Sequence, residues 1–115
     1  TYKLMEHSQA VVTVTGTAAW EAVLRSKPAL IFGYMWFQNC PGVFKVNNVA
    51  KCLEFFDLIR SRNFSLKKED LVRYLFSVEE ATIQGSLDLL SKSESAIDEN
   101  TNVSNLYLAI TKALK

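Results

Sequence analysis

The run Val11 to Gly33, VVTVTGTAAWEAVLRSKPALIFG, leaves the chain few folds to choose from. It is entered through Ala10-Val11-Val12-Thr13-Val14-Thr15, β-branched almost throughout and apolar on both faces for four residues, as a strand buried between two layers would be. Gly16 breaks that strand. Thr17 is a residue type that caps helices, and Ala18 to Arg25 holds good helix formers with neither Gly nor Pro. The helix stops at Ser26-Lys27-Pro28, because Pro28 cannot continue it and pushes Lys27 toward extended geometry. Ala29-Leu30-Ile31-Phe32 then reads as a second short apolar strand, closed by Gly33. Strand, helix and strand in this order form a right-handed crossover between parallel strands. The expected class is α/β, with short parallel strands at residues 10–15 and 29–32 and the first of them central in its sheet.

The flanks read as helix and loop. Tyr2 to Ser8 has the look of the last turns of a helix, with His7 near its end. Tyr34 to Asn48, YMWFQNCPGVFKVNN, is aromatic-rich but interrupted by Asn39, Pro41 and Gly42, and is expected to be a partly covered loop. Asn48 is a good N-cap for a helix over 49–60, in which Val49, Cys52, Leu53, Phe56 and Ile59 form the expected core-facing stripe. Cys52 is expected to be a buried structural thiol. A helix is expected from Ser65 to about Phe76. The capping box Ser77-Val78-Glu79-Glu80 opens another to about Leu90, with Ile83, Leu87 and Leu90 on one face. A polar linker over 91–102 and an amphipathic helix over 103–114 complete the tail. The organisation is that of a single domain or a fragment over 1–115, with a βαβ core at 1–62 and a helical tail at 63–115.

Composition removes several functions. Thirteen Lys and Arg against twelve Asp and Glu leave a formal charge of +1, too balanced to supply the counterion-release term of general nucleic-acid binding. Cys40 and Cys52 form no CxxC pair and the chain has a single His, so the sequence points neither to a metal site nor to a disulfide framework. No apolar run is long enough to span a bilayer. With few cysteines and no signal-peptide layout, the expected setting is cytoplasmic.

The chemistry suggested by the opening run is that of anion binding. A strand ending in Thr15-Gly16-Thr17 at a helix start gathers backbone N–H groups, a helix dipole and two hydroxyls, which suits a phosphate, although the same residues also suit an ordinary tight turn. The pattern is neither a Walker loop nor a GxGxxG fingerprint. Glu21 falls one position beyond the capping-box slot on an otherwise apolar helix, where its carboxylate either accepts from a ribose diol or is simply solvated. Trp20, Tyr34, Trp36 and Phe37 offer flat faces for a base or sugar, or plain packing. Cys40 has no base placed beside it by sequence. No catalytic residue is legible.

The residues TGTAAWEAVLRSKP, followed by an apolar strand, FG, an aromatic stretch and PGV, resemble the C-terminal half of bacterial capsule and surface-polysaccharide biosynthesis proteins, which are glycosyltransferases of the GT-B fold. The likeness covers roughly Val11 to Val46. It implies a partial Rossmann-like fold and a donor sugar nucleotide as substrate, with no separate cofactor. Phosphate contacts would fall at Thr15, Gly16 and Thr17, a ribose or phosphate-side role at Glu21, and pocket lining at Gly33, Tyr34, Trp36, Pro41 and Gly42. Its partners would be a glycan acceptor and an N-terminal domain of the same protein, with peripheral association at the inner face of the membrane compatible with both. The expected function is the donor-binding part of a capsule glycosyltransferase, inactive as a fragment. The rivals are a sugar-nucleotide epimerase or hydrolase half-domain and a non-catalytic protein-interaction module.

Overall fold

The computed structural model describes residues 2–87 and 96–114, and the chain falls into two compact units, Thr1–Tyr74 and Leu75–Lys115. The first unit takes in more than the expected core, because Leu71 and Tyr74 pack against it.

In this unit the strands β1 (Val11–Thr13), β2 (Ala29–Ile31) and β3 (Val43–Lys45) run parallel and lie in that order. The register aligns Val11, Ala29 and Val43 at one end and Thr13, Ile31 and Lys45 at the other. Helices α1 (Tyr2–His7), α2 (Ala18–Leu24) and α3 (Val49–Arg60) complete it. The class is α/β, with a small parallel sheet and a mainly helical C-terminal part, consistent with a partial Rossmann-like fold.

Two strand expectations are corrected. The central strand is β2, whose three residues are all fully buried, whereas β1 is an edge with Val12 exposed, as is Val14 just beyond it. In addition, Val43 to Lys45 is a strand rather than part of a loop. The turn Pro41-Gly42, with Gly42 at φ +89°, reverses the chain, and the Gly42 carbonyl accepts the Ala29 N–H at 2.9 Å. That turn delivers Val43 beside Ala29. Backbone groups of the buried β2 need partners on both sides, and β3 supplies them on the second.

The sheet is covered on both faces. Ala29 and Ile31 pack with Ala19, Ala22 and Val23 of α2 and with Met5, Phe37 and Cys40, while Leu30 packs with Val46 and Phe55. The alanines let α2 lie close to the strands. Asn48 caps α3 as expected, its Oδ1 accepting the Lys51 N–H at 2.9 Å. The buried row of α3 shares only Cys52 and Ile59 with the expected stripe. Phe55 is buried and Cys52 and Ile59 are half-buried against β2 and β3, whereas Val49, Leu53 and Phe56 lie on the adjacent row and are exposed. Two apolar rows lie on this helix, and one sheet face takes only one of them.

The tail also differs from expectation. A single helix α4 (Lys68–Ala81) runs through Ser77, with no Gly or Pro to break it, so the capping-box motif opens nothing. Of the residues expected in the following helix, Thr82–Leu87 are not helical and Leu90 lies outside the described residues. In the second unit α5 (Glu99–Ala113) begins earlier than expected, capped by Asp98. The Asp98 Oδ1 accepts the Thr101 N–H at 3.1 Å and its Oδ2 the Thr101 hydroxyl at 2.6 Å, bonds that hold this carboxyl below its usual range. The Asn102 side chain pairs with the Ser86 backbone, and the Asn105 amide donates to Gln84 O, fastening residues 84–86 to α5.

Two measurements check this packing. Leu30→Ala lowers stability by about 2–5 kcal/mol in urea unfolding, whereas Leu53→Ala, on the exposed row, changes it by less than about 0.5 kcal/mol. Burial pushes the Cys40 thiol up to about 11 from 9.0. The unfolded chain therefore loses this proton first, and stability falls as the pH rises from 9.0 toward about 11. A pH series of unfolding midpoints shows that fall in the wild-type chain and a smaller one in Cys40→Ala.

Candidate functional site

All three strands run the same way, so their carboxyl ends share one edge, the position at which open parallel sheets bind ligands. The segments that leave this edge are Val14–Thr17, Phe32–Trp36 and Val46–Asn48. The first two are joined. The Gly33 N–H donates to the Val14 carbonyl at 2.8 Å and the Phe32 N–H to the Thr13 carbonyl at 3.3 Å. A Cβ at Gly33 would lie 2.3 Å from Thr15 Cγ2 and 3.0 Å from Val14 O. Only glycine allows the two turns to touch.

The first turn has an internal lock. Thr13 Oγ1 accepts the Gly16 N–H at 3.1 Å, and a Cβ at Gly16 would come within 2.7 Å of that oxygen. This amide, one of those expected to face an anion, is therefore already partnered. Thr17 stands at the N-cap in helical conformation, φ −63° and ψ −15°, and its hydroxyl makes no capping bond, a correction to its expected role. The helix it precedes has seven residues, which gives only a short dipole. Thr15 and Thr17 are exposed, leaving two hydroxyls at the edge.

Glu21 lies half-buried in the first turn of α2. Its N–H donates to Thr17 O at 3.0 Å and its carbonyl accepts from Arg25 Nη1 at 3.1 Å. Among the described residues its carboxylate has no hydrogen bond and no ion pair. Trp36 is exposed and meets Trp20 of α2 with ring centroids 4.9 Å apart, while Phe37 is fully buried beneath them. Tyr34 is 82% exposed, and its ring lies under the Lys45 ammonium, 3.2 Å from the centroid.

Pro41 and Gly42 are not part of this grouping. They precede β3, and Val43 pairs with the first residue of β2, so they sit at the amino end of the sheet, one strand length from the turn. Because residues 43–45 form a strand parallel to β2, the loop between them crosses from the carboxyl end of the sheet to its amino end.

Of the clefts in the first unit, two adjoin the ends of the sheet and are lined by other residues than those expected. One of about 510 Å³ adjoins the carboxyl ends of β2 and β3 and is lined mainly by apolar groups, among them Phe32, Val46, Leu53 and Phe56, with Asn47 and Asn48. The other, of about 400 Å³, opens at the amino end between His7, Lys27 and Arg62. Helices α1, α2 and α3 all end near it, and Lys27 Nζ donates to the carbonyls of Glu6 and Ser8 at 3.0 and 2.8 Å. Its cations are thus matched to helix C-termini. Lys27 of the KP pair is a structural tie between α1 and the start of β2. Residues that sequence reasoning passed over are Thr13, for which the Thr-x-x-Gly spacing was a usable signal, and Lys45, which depended on the unforeseen β3.

Compared with known families, the chain matches the family described as capsule polysaccharide biosynthesis protein over residues 1–78. No curated protein and no solved structure matches it. Among the described residues no helix is long and apolar enough to cross a membrane, and no group of three or more His, Cys, Asp or Glu side chains is arranged to hold a metal ion.

Gly33→Ala tests the joined turns. The added methyl collides with Thr15 and Val14, and the unfolding free energy drops by about 1–3 kcal/mol in urea titration.

Proposed function

From the premise that the chain belongs to the capsule polysaccharide biosynthesis family, and so has a role in capsule synthesis, we propose that it is the donor-binding part of a GT-B-type glycosyltransferase. The observation that carries this reading is the contact of Gly33 with Thr15, which sets two strand-end turns side by side with the unpartnered Glu21 carboxylate on the helix between them.

In this reading a sugar nucleotide lies along the carboxyl edge. The Thr15 and Thr17 hydroxyls donate to its phosphate, and Gly16 lets the phosphate approach the backbone. Because the Gly16 amide is held by Thr13, the hydroxyls rather than that amide carry the contact. The Glu21 carboxylate accepts from the ribose diol. Gly33, Tyr34 and Trp36 line the same side, with the two aromatic rings as stacking surfaces. The contribution to catalysis is positioning and charge stabilisation of the leaving nucleotide, while the acceptor glycan and the general base belong to another domain. The sugar nucleotide is substrate, and the reaction faces the cytoplasm.

Titrating the chain with nucleotides and sugar nucleotides, followed through Trp20 and Trp36 fluorescence, gives saturable quenching. Glu21→Ala and Gly16→Val weaken it by about tenfold or more. A chain that responds to none of these ligands acts instead as a protein-interaction module. Free or epimerised sugar released without acceptor from the protein carrying its other domain contradicts transfer.

A further inference from the structure

The geometry points to Lys45 as a cationic arm of the carboxyl edge that meets an anionic oxygen group of the donor, a phosphate or a sugar carboxylate. This inference rests on the donor reading and deepens it. Thr13, Ile31 and Lys45 are aligned across the sheet and occupy equivalent positions at the ends of their strands. Alternation along parallel strands in register puts all three side chains on one face, and neighbouring strands are about 4.8 Å apart, so Lys45 starts about 10 Å from Thr13. Lys45 therefore belongs to the face and the end of the sheet that also carry the Thr13–Gly16 lock.

How the ammonium is held matters more than where it starts. Lys45 Nζ donates to Gln38 Oε1 at 2.9 Å and lies 3.2 Å from the centroid of the Tyr34 ring. Both partners are neutral. Lys45 makes no ion pair among the described residues, so no carboxylate neutralises it. A neutral acceptor and an aromatic face fix the direction of an ammonium while leaving its full charge, and one of its three N–H donors, for a further partner. A salt bridge would have fixed it equally well and cancelled the charge. Tyr34 is largely exposed and Lys45 half-buried, so the pair lies at the surface beside the loop that follows β2. The competing role is mechanical, with Lys45 pinning the loop at Tyr34 and Gln38 to β3.

Calorimetric titration of the full chain separates the two roles. The probes are UDP, CMP, CMP-N-acetylneuraminate, and the nucleosides uridine and cytidine. Lys45→Met keeps the stem and removes the charge, and it weakens the nucleotides by about tenfold. It leaves nucleoside binding and the far-ultraviolet circular dichroism unchanged, and Lys45→Arg stays close to wild type. A loss confined to CMP-N-acetylneuraminate identifies the carboxylate as the group met. Equal binding of every probe by wild type and Lys45→Met overturns the inference and leaves the donor reading standing, as does a Lys45→Met variant that loses nucleosides and nucleotides alike. A wild-type chain that binds none of the probes overturns both.

Discussion

A hydrogen bond from the Gly33 amide to the Val14 carbonyl, 2.8 Å long, brings the turn after the central strand onto the turn after the first. It exists because residue 33 has no side chain, since a Cβ would stand 2.3 Å from Thr15 Cγ2. The contact extends the pairing of β1 and β2 past their last ladder residues, Thr13 and Ile31. Without it, Thr15 to Thr17 and Gly33 to Trp36 would be two independent loops. With it they form one edge, and each residue placed there is fixed relative to the others by the sheet.

The layers above and below the sheet follow from the same strands. Small residues of α2, Ala19 and Ala22, are fully buried and let that helix lie close to β2, and Trp20 of the same helix meets Trp36 at the edge. On the opposite face, Leu30 and Phe55 anchor α3. The loop between β2 and β3 crosses without a regular helix and plants Phe37 and Cys40 in the core. That anchoring makes Tyr34 and Trp36, just before it in the chain, surface groups with defined positions.

Much of this was legible in local chemistry. Pro28 marks where α2 ends, Asn48 caps α3, and the β-branched run before Gly16 marks β1. Glu21 stands out in the sequence because its spacing from Thr17 exceeds what a capping box needs, and among the described residues its carboxylate has no hydrogen bond or ion pair. The third strand was not, since Val43 to Lys45 is short and follows a Pro-Gly turn, and only pairing with a buried strand distant in sequence makes it extended. That one omission misplaced Pro41 and Gly42 and hid Lys45. The edge position of β1 was equally invisible, because an apolar strand reads alike whether or not a neighbour covers it. In the tail a capping-box motif at Ser77 was overridden by uninterrupted helix formers on both sides. Family membership came from the first 78 residues, the part in which the joined turns lie.

The proposed ligand-binding edge, formed by the turns beyond β1 and β2, is open to residue-resolved amide hydrogen exchange with and without added UDP or CMP. The Gly16 and Gly33 amides should be protected in the free chain, and nucleotide should slow exchange along Val14–Thr17 and Gly33–Trp36 together. A Gly33 amide exchanging as fast as an open loop, or nucleotide protection falling instead on His7–Gln9 and Ser26–Lys27 at the opposite end of the sheet, rules the proposed edge out.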